Sequence, residues 1–324
     1  MVGAGVRCVY LLTLGWEHLP KSWSVHGAPP HERLVEPVPG VLVQVDGGWL
    51  LLDTGFNPSL IRDPALFRRF HGTFFEILPV LPPGEGDPLL EALGGVGIGL
   101  EDIAAVGVSH LHNDHAGGIR HFAGRVPVHL QRSELDYAMA NPVEAERNGI
   151  YRIDFDDPAV DWRLGDGDTE IAPGVTAIRT AGHTPGHQSF VVRYDESVGG
   201  GGFVFAFDAA DLQENIDGEL PVGGVIGCDP QETVAHIRRL KAIARVEGLR
   251  LVPGHDPQVW PVLSEELAVS GGRPAPASPR LEVRPGAEGS ASGTGSPRSA
   301  PLLMEWPAAD QPPLPQLQTF PSWV

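Results

Sequence analysis

Cysteine is nearly missing: Cys8 and Cys228 are the two in 324 residues, so no disulfide framework holds this chain. Each reads as a small core residue rather than a ligand or nucleophile. Lysine is scarce too, with only Lys21 and Lys241 among 23 basic residues. Against 41 acidic residues these leave a formal net charge of -18, which excludes a broad basic face for nucleic acid. That field suits a neutral or apolar partner better than a polyanion. No apolar run reaches the ~20 residues of a membrane-spanning helix. The first fourteen residues carry Arg7 alone as a basic group, with no charged n-region and no small-residue cleavage site. They read as a strand rather than a signal peptide. The expectation is a soluble, cytoplasmic protein that binds neither membrane nor nucleic acid.

What is present is concentrated. Residues 104–108 form an apolar run that ends in Ser109-His110-Leu111-His112-Asn113-Asp114-His115-Ala116-Gly117-Gly118. The run reads as a short buried strand, and the small residues after it suit a tight loop entering a helix. Three imidazoles and a carboxylate within six positions are the donors that hold zinc or a similar divalent cation. His110 and His112, two apart on an extended segment, point one way. Asp114 and His115, past the turn, aim at a second point nearby. Four donors from one loop can therefore feed two metals, provided that other loops supply more.

Three other loops do. Residues 175–179 read as a strand leading to Gly182-His183-Thr184-Pro185-Gly186-His187, with His183 as the donor and His187 as the residue that orients the loop. Residues 203–207 are an apolar strand ending at Asp208, whose two oxygens suit a bridge between cations. Residues 249–252 are the last strand, ending Pro253-Gly254-His255-Asp256. Asp53 closes the apolar strand of Leu50-Leu51-Leu52, and a carboxylate there needs partners. Its expected role is to accept the spare N–H of a metal-binding histidine and fix the tautomer; an Asx turn with Thr54-Gly55 is the plainer alternative, and the two are compatible.

Elsewhere the sequence predicts a strand over residues 7–14, and a hairpin of residues 41–45 and 49–53 around Asp46-Gly47-Gly48. A long irregular segment spans residues 16–39, a lid or pocket wall in which His18, His26 and His31 are surface residues. A helix is predicted near residues 64–70, and the aromatic positions 67, 70, 74 and 75 line a pocket or the core. A second helix over residues 133–139 is capped by Ser133, with His129 structural before it and polar irregular chain over residues 151–167. Asp229-Pro230-Gln231-Glu232 marks a helix start. Residues 1–269 form one domain, and the Pro/Gly/Ser-rich residues 270–324 read as a disordered tail.

With these residues assembled, the chain resembles the metallo-β-lactamase-fold hydrolases, and among them the N-acyl homoserine lactonases. The resemblance covers about residues 7–260 and rests on Leu51-Leu52-Asp53-Thr54-Gly55, the Ser109–Gly118 stretch, Gly182–His187, Phe207-Asp208-Ala209-Ala210 and Pro253–Asp256. It implies an α/β fold, the αβ/βα sandwich of two mixed sheets flanked by helices. It also implies two divalent metal ions, zinc first, with iron, manganese or cobalt as alternatives. One ion would take His110, His112 and His183, the other Asp114, His115 and His255, with Asp208 bridging them. A bridging hydroxide would attack the ester carbonyl of a small-molecule lactone, and Asp114 would carry the proton to the leaving alkoxide. One position departs from the pattern: many such lactonases hold a Tyr three residues after the bridging aspartate, where Asp211 stands here. A glyoxalase-II-like thioesterase and a metal-bearing binding module are the alternatives. The first lacks its usual helical domain here, and the complete donor set argues against the second.

Overall fold

The computed structural model describes residues 5–29, 31–72 and 76–273. The expected tail, from residue 274 onward, and positions 74 and 75 lie outside them. The described chain continues past residue 269: helix packing extends to Ser270, and Val9 N–H donates to the Gly272 carbonyl at 2.8 Å.

Among the described residues, twelve strands form two sheets. The first contains β1 (Cys8–Pro20), β2 (Arg33–Val45), β3 (Gly48–Leu52), β4 (Leu78–Val80), β5 (Ile103–Gly107), β6 (Pro127–Gln131) and β7 (Asp161–Gly165), in the order β4-β1-β2-β3-β5-β6-β7. The second contains β8 (Thr169–Ala172), β9 (Val175–Arg179), β10 (Gln188–Arg193), β11 (Gly202–Phe205) and β12 (Arg250–Val252), in the order β12-β11-β10-β9-β8. Both are mixed: β3, β5, β6 and β7 run parallel, as do β11 and β12, while the remaining pairs are antiparallel. The helices are α1 (Pro58–Arg62), α2 (Pro64–Phe70), α3 (Pro88–Gly95), α4 (Asn113–Ala116), α5 (Arg132–Ala140), α6 (Pro142–Arg147), α7 (Arg152–Phe155), α8 (Gln213–Gly218), α9 (Pro230–Glu247) and α10 (Val259–Ser270). None of them is long and apolar enough to cross a membrane.

Strand alternation builds the layers. Leu50, Leu52, Phe190, Val192, Phe203 and Phe205 turn inward and meet between the sheets. Their neighbours turn outward: Leu51 joins a cluster with Leu89 and Leu93 of α3, and Val191 and Val204 pack on Ile237 and Leu240 of α9. Both sheets are therefore buried on both faces, which gives the αβ/βα sandwich. Asp229 caps α9 through the Gln231 N–H, with Pro230 in the first turn as the sequence predicts.

Several local expectations are corrected. Residues 16–39 are strand at both ends, in β1 and β2, which pair from Cys8↔Gln44 to Pro20↔Arg33, with a bulge between Thr13 and Gly15. Pro39 sits opposite Thr13 beside that bulge, where the missing N–H is tolerated. Ser133 is not the cap of α5, which starts one residue earlier; its hydroxyl donates to the Pro185 carbonyl at 3.3 Å. Residues 151–167 contain α7 and β7, because parallel pairing with β6 orders a polar edge strand. The strand before Asp208 stops at Phe205, and Phe207 takes a φ of 47° that ends the extended run.

Candidate metal centre

The parallel strands β3 and β5 of one sheet, and β11 and β12 of the other, deliver their C-terminal loops to one edge of the sandwich. Asp53 follows β3, the His/Asp loop follows β5, Asp208 follows β11 and His255 follows β12. The loop after β9 brings His183 to the same edge.

Two donor groups result. His110, His112, His183 and Asp208 form one; Asp114, His115 and His255 form the other. In the first, His110 Nε2 and His183 Nε2 each lie 2.9 Å from His112 Nδ1, and Asp208 Oδ2 is 3.7 and 3.3 Å from those two Nε2 atoms. In the second, His115 Nε2 is 2.8 Å from Asp114 Oδ2, and His255 Nε2 is 3.9 Å from that same oxygen. Asp208 Oδ1 faces this group, 3.3 Å from His115 Nε2 and 3.2 Å from His255 Nε2. The two oxygens of Asp208 are thus divided between the groups. Donors held about 2.0–2.2 Å from a tetrahedral ion stand roughly 3.3–3.6 Å apart, and the observed separations straddle that figure.

The hydrogen bonds behind the donors orient them. Asp53 is fully buried. Its Oδ1 accepts from Ser109 N–H at 2.6 Å, while Oδ2 accepts from Ser109 Oγ at 2.6 Å and from His115 Nδ1 at 2.7 Å. Ser109 Oγ lies 3.0 Å from His110 Nδ1, and His255 Nδ1 lies 3.0 Å from the Pro37 carbonyl. These acceptors hold the proton on Nδ1 and leave each Nε2 lone pair for the site. Asp53 makes no Asx turn with Thr54; its oxygens are spent on Ser109 and His115. Thr54 Oγ1 donates to the His115 carbonyl at 2.7 Å and accepts from Gly118 N–H at 3.1 Å, which anchors α4. A Cβ at Gly117 would stand 2.0 Å from the Asn57 nitrogen, so only glycine lets α4 sit this close.

Electrostatics fit cations. Burial pushes His110 and His183 down and takes His112 to about 3, leaving neutral imidazoles with free lone pairs, the form that metal ligation requires. Burial opposes ionisation of Asp208, but His115 and His255 hold its carboxyl well below the usual range. At His115 burial is likewise overcome: Asp114, Asp208 and Asp53 raise its pKa well above normal. Its Nδ1 proton is committed to Asp53, so the added proton sits on Nε2, 2.8 Å from Asp114 Oδ2 and 3.3 Å from Asp208 Oδ1. A metal ion at that point would take the place of this proton between the two carboxylates.

Other residues have distinct placements. His187 is buried, its Nδ1 2.9 Å from Thr180 Oγ1, and its backbone closes the loop on Thr180 and Thr184. His26 and His31 are exposed, and His18 is half-buried against Arg33. His129 is half-buried in β6. Phe67 stacks on His71 and Phe70 packs on Tyr151.

Sequence reading missed Glu134. Its buried carboxylate accepts from Leu111 N–H at 3.0 Å and Gly186 N–H at 2.8 Å, tying the two histidine loops together. Nothing in its local sequence marks a residue in the first turn of α5 for that task. Glu17 and Glu36 were also missed. Beside the donors lies a pocket lined by Trp23, Glu36, His71, Tyr151 and Asp211 among others. Burial pushes Glu36 up to about 7, and burial followed by repulsion from Asp208 raises Asp211 well above the carboxylate range.

A four-layered αβ/βα sandwich with seven His and Asp donors at one edge defines a metal-dependent hydrolase of the metallo-β-lactamase type. Residues 33–255 match the metallo-beta-lactamase superfamily. An N-acyl homoserine lactonase of Bacillus thuringiensis is 32% identical over 253 residues, covering 78% of this chain and 94% of that protein. The lactonase AttM of Agrobacterium fabrum is 31% identical over 231 residues, covering 69% and 83%. A solved N-acyl homoserine lactone hydrolase with N-hexanoyl-L-homoserine bound at its catalytic metal centre is similar at 31% identity and a TM-score of 0.66, over 78% of this chain and 95% of that one. The chain belongs to the N-acyl homoserine lactonase family of the metallo-beta-lactamase superfamily.

Proposed function

We propose that this protein opens the ring of an N-acyl homoserine lactone or a closely related lactone by hydrolysis. The observation that carries the reading is the pair of donor groups sharing Asp208 beside an open pocket, in a chain that matches lactonases over nearly their whole length. His110, His112, His183 and Asp208 would hold one divalent ion, and Asp114, His115, His255 and Asp208 the other, with zinc the first candidate. When bound, such a pair supplies a water acidified to near neutral pH and Lewis acidity toward a carbonyl oxygen.

The chain's own residues do the rest. Asp53 and Ser109 hold His110 and His115 in one tautomer. Asp114 lines the pocket, where its carboxylate takes the proton of the attacking water. A C–O bond forms from water to the lactone carbonyl, the ring C–O bond breaks, and Asp114 returns the proton to the departing alkoxide. The leaving group stays tethered, so the product is one hydroxy acid.

The test is acid release, followed by pH-stat, from short- and long-chain acyl homoserine lactones by protein of measured metal content. Turnover that chelation abolishes is expected. A protein with about two metals per chain that leaves lactones intact but cleaves glutathione thioesters would replace this reading with the thioesterase one.

A further inference from the structure

The metal donors use Asp114 and Asp208, yet three more carboxyl groups, Glu17, Glu36 and Asp211, line the same pocket. Glu17 and Glu36 are direct cross-strand partners on β1 and β2, an arrangement in which like charges oppose each other at close range and destabilise the sheet. Glu36 is 2% exposed and its Oε1 accepts from Ser24 Oγ at 2.6 Å. Asp211 is 5% exposed and its buried Oδ1 has no hydrogen-bond partner. No Lys or Arg lines the pocket among the described residues. A buried carboxylate without a partner or counter-charge is costly. Asp211 is the one that lacks a partner; with the buried Glu36 and the half-buried Glu17 beside it, it makes an acceptor-rich wall that a positive group from outside the chain would complement.

We propose that the pocket wall formed by Glu17, Glu36 and Asp211 is a subsite for a cationic nitrogen, so that the preferred substrate is a lactone whose acyl group carries an ammonium. This rests on the lactonase reading and narrows its substrate class. An ammonium has three N–H donors and no acceptor, which matches a wall rich in acceptors. Trp23 lines the same cavity, and an indole face adds attraction for a cation. The chain's net charge of -18 draws cations toward such a cleft. A plain alkyl chain would bury these carboxyls against methylenes and leave Asp211 Oδ1 still unpartnered.

The experiment compares two ligands of equal length on the metal-loaded full chain: N-(6-aminohexanoyl)-L-homoserine and N-heptanoyl-L-homoserine. Calorimetry reads their binding, and hydrolysis of the corresponding lactones is measured in parallel. The ammonium ligand is expected to bind about tenfold tighter or better, since charge-assisted hydrogen bonds exceed neutral ones. Glu36→Gln and Asp211→Asn should each shrink that ratio. Equal or weaker binding of the ammonium ligand to the native chain overturns the proposal, whatever the variants do. Tight ammonium binding without turnover of either lactone keeps the subsite and removes the lactonase reading. Turnover of both lactones without preference does the reverse.

Discussion

Replacing Asp53 by Asn isolates a single function of that residue, because shape and backbone preference are nearly kept. Asp53 has a φ of 61°, a left-handed conformation that Asn tolerates and most residues do not, so backbone strain is not the main change. The hydrogen bonds are. Oδ1 meets a fixed backbone N–H of Ser109, and Oδ2 meets both Ser109 Oγ and His115 Nδ1. An amide has one acceptor oxygen, and its NH2 must replace one of these. Turned toward Oδ1, the NH2 faces the Ser109 N–H, which cannot rotate. Turned toward Oδ2, it faces the His115 Nδ1–H. His115 escapes only by moving its proton to Nε2, which blocks the atom offered to the site. Either way a buried donor loses its acceptor, at about 1–3 kcal/mol, and metal affinity should fall about 10–100-fold. Competition with a chromophoric chelator measures that affinity, and urea unfolding of the metal-free protein measures the stability term separately. If Asp53→Asn kept native affinity for both ions, the claim that Asp53 sets the tautomers would be wrong.

Two further outcomes are expected. Asp208→Ala should lower metal content and activity together while circular dichroism stays native; two ions and full activity in that variant would remove the bridge. Burial lifts Asp154 to about 7, against relief from the Asn57 hydrogen bond, whereas an unfolded Asp titrates near about 3.9. The folded state therefore holds the extra proton between those values, and stability falls as pH rises through that window, by up to about 1.4 kcal/mol per unit. Asp154→Asn removes the dependence, so its stability relative to the native chain should rise between about pH 4 and about pH 7; a constant difference in urea midpoints would refute it.

Much of this was legible in one dimension. His110, His112, Asp114, His115, His183, Asp208 and His255 each follow a short apolar strand, and strands that run parallel must release their loops at one edge. Donor chemistry and strand position are both local properties, so the chain carried them in plain view. The helix start at Asp229 was equally local. The pairing of β1 with β2 was not, because prolines and aromatics at positions 16–39 look irregular until a partner strand supplies the ladder. Nor could spacing reveal that the Glu134 carboxylate reaches across to Leu111 and Gly186, or that Glu17 stands opposite Glu36 with Asp211 nearby. Residues far apart in the chain acquire such partners only when the sheets close, since register and burial are set by the whole core. The sequence by itself determined which side chains could hold metal. The tertiary structure decided how Asp208 divides its oxygens, which nitrogen each histidine offers, and what charge the substrate meets beside them.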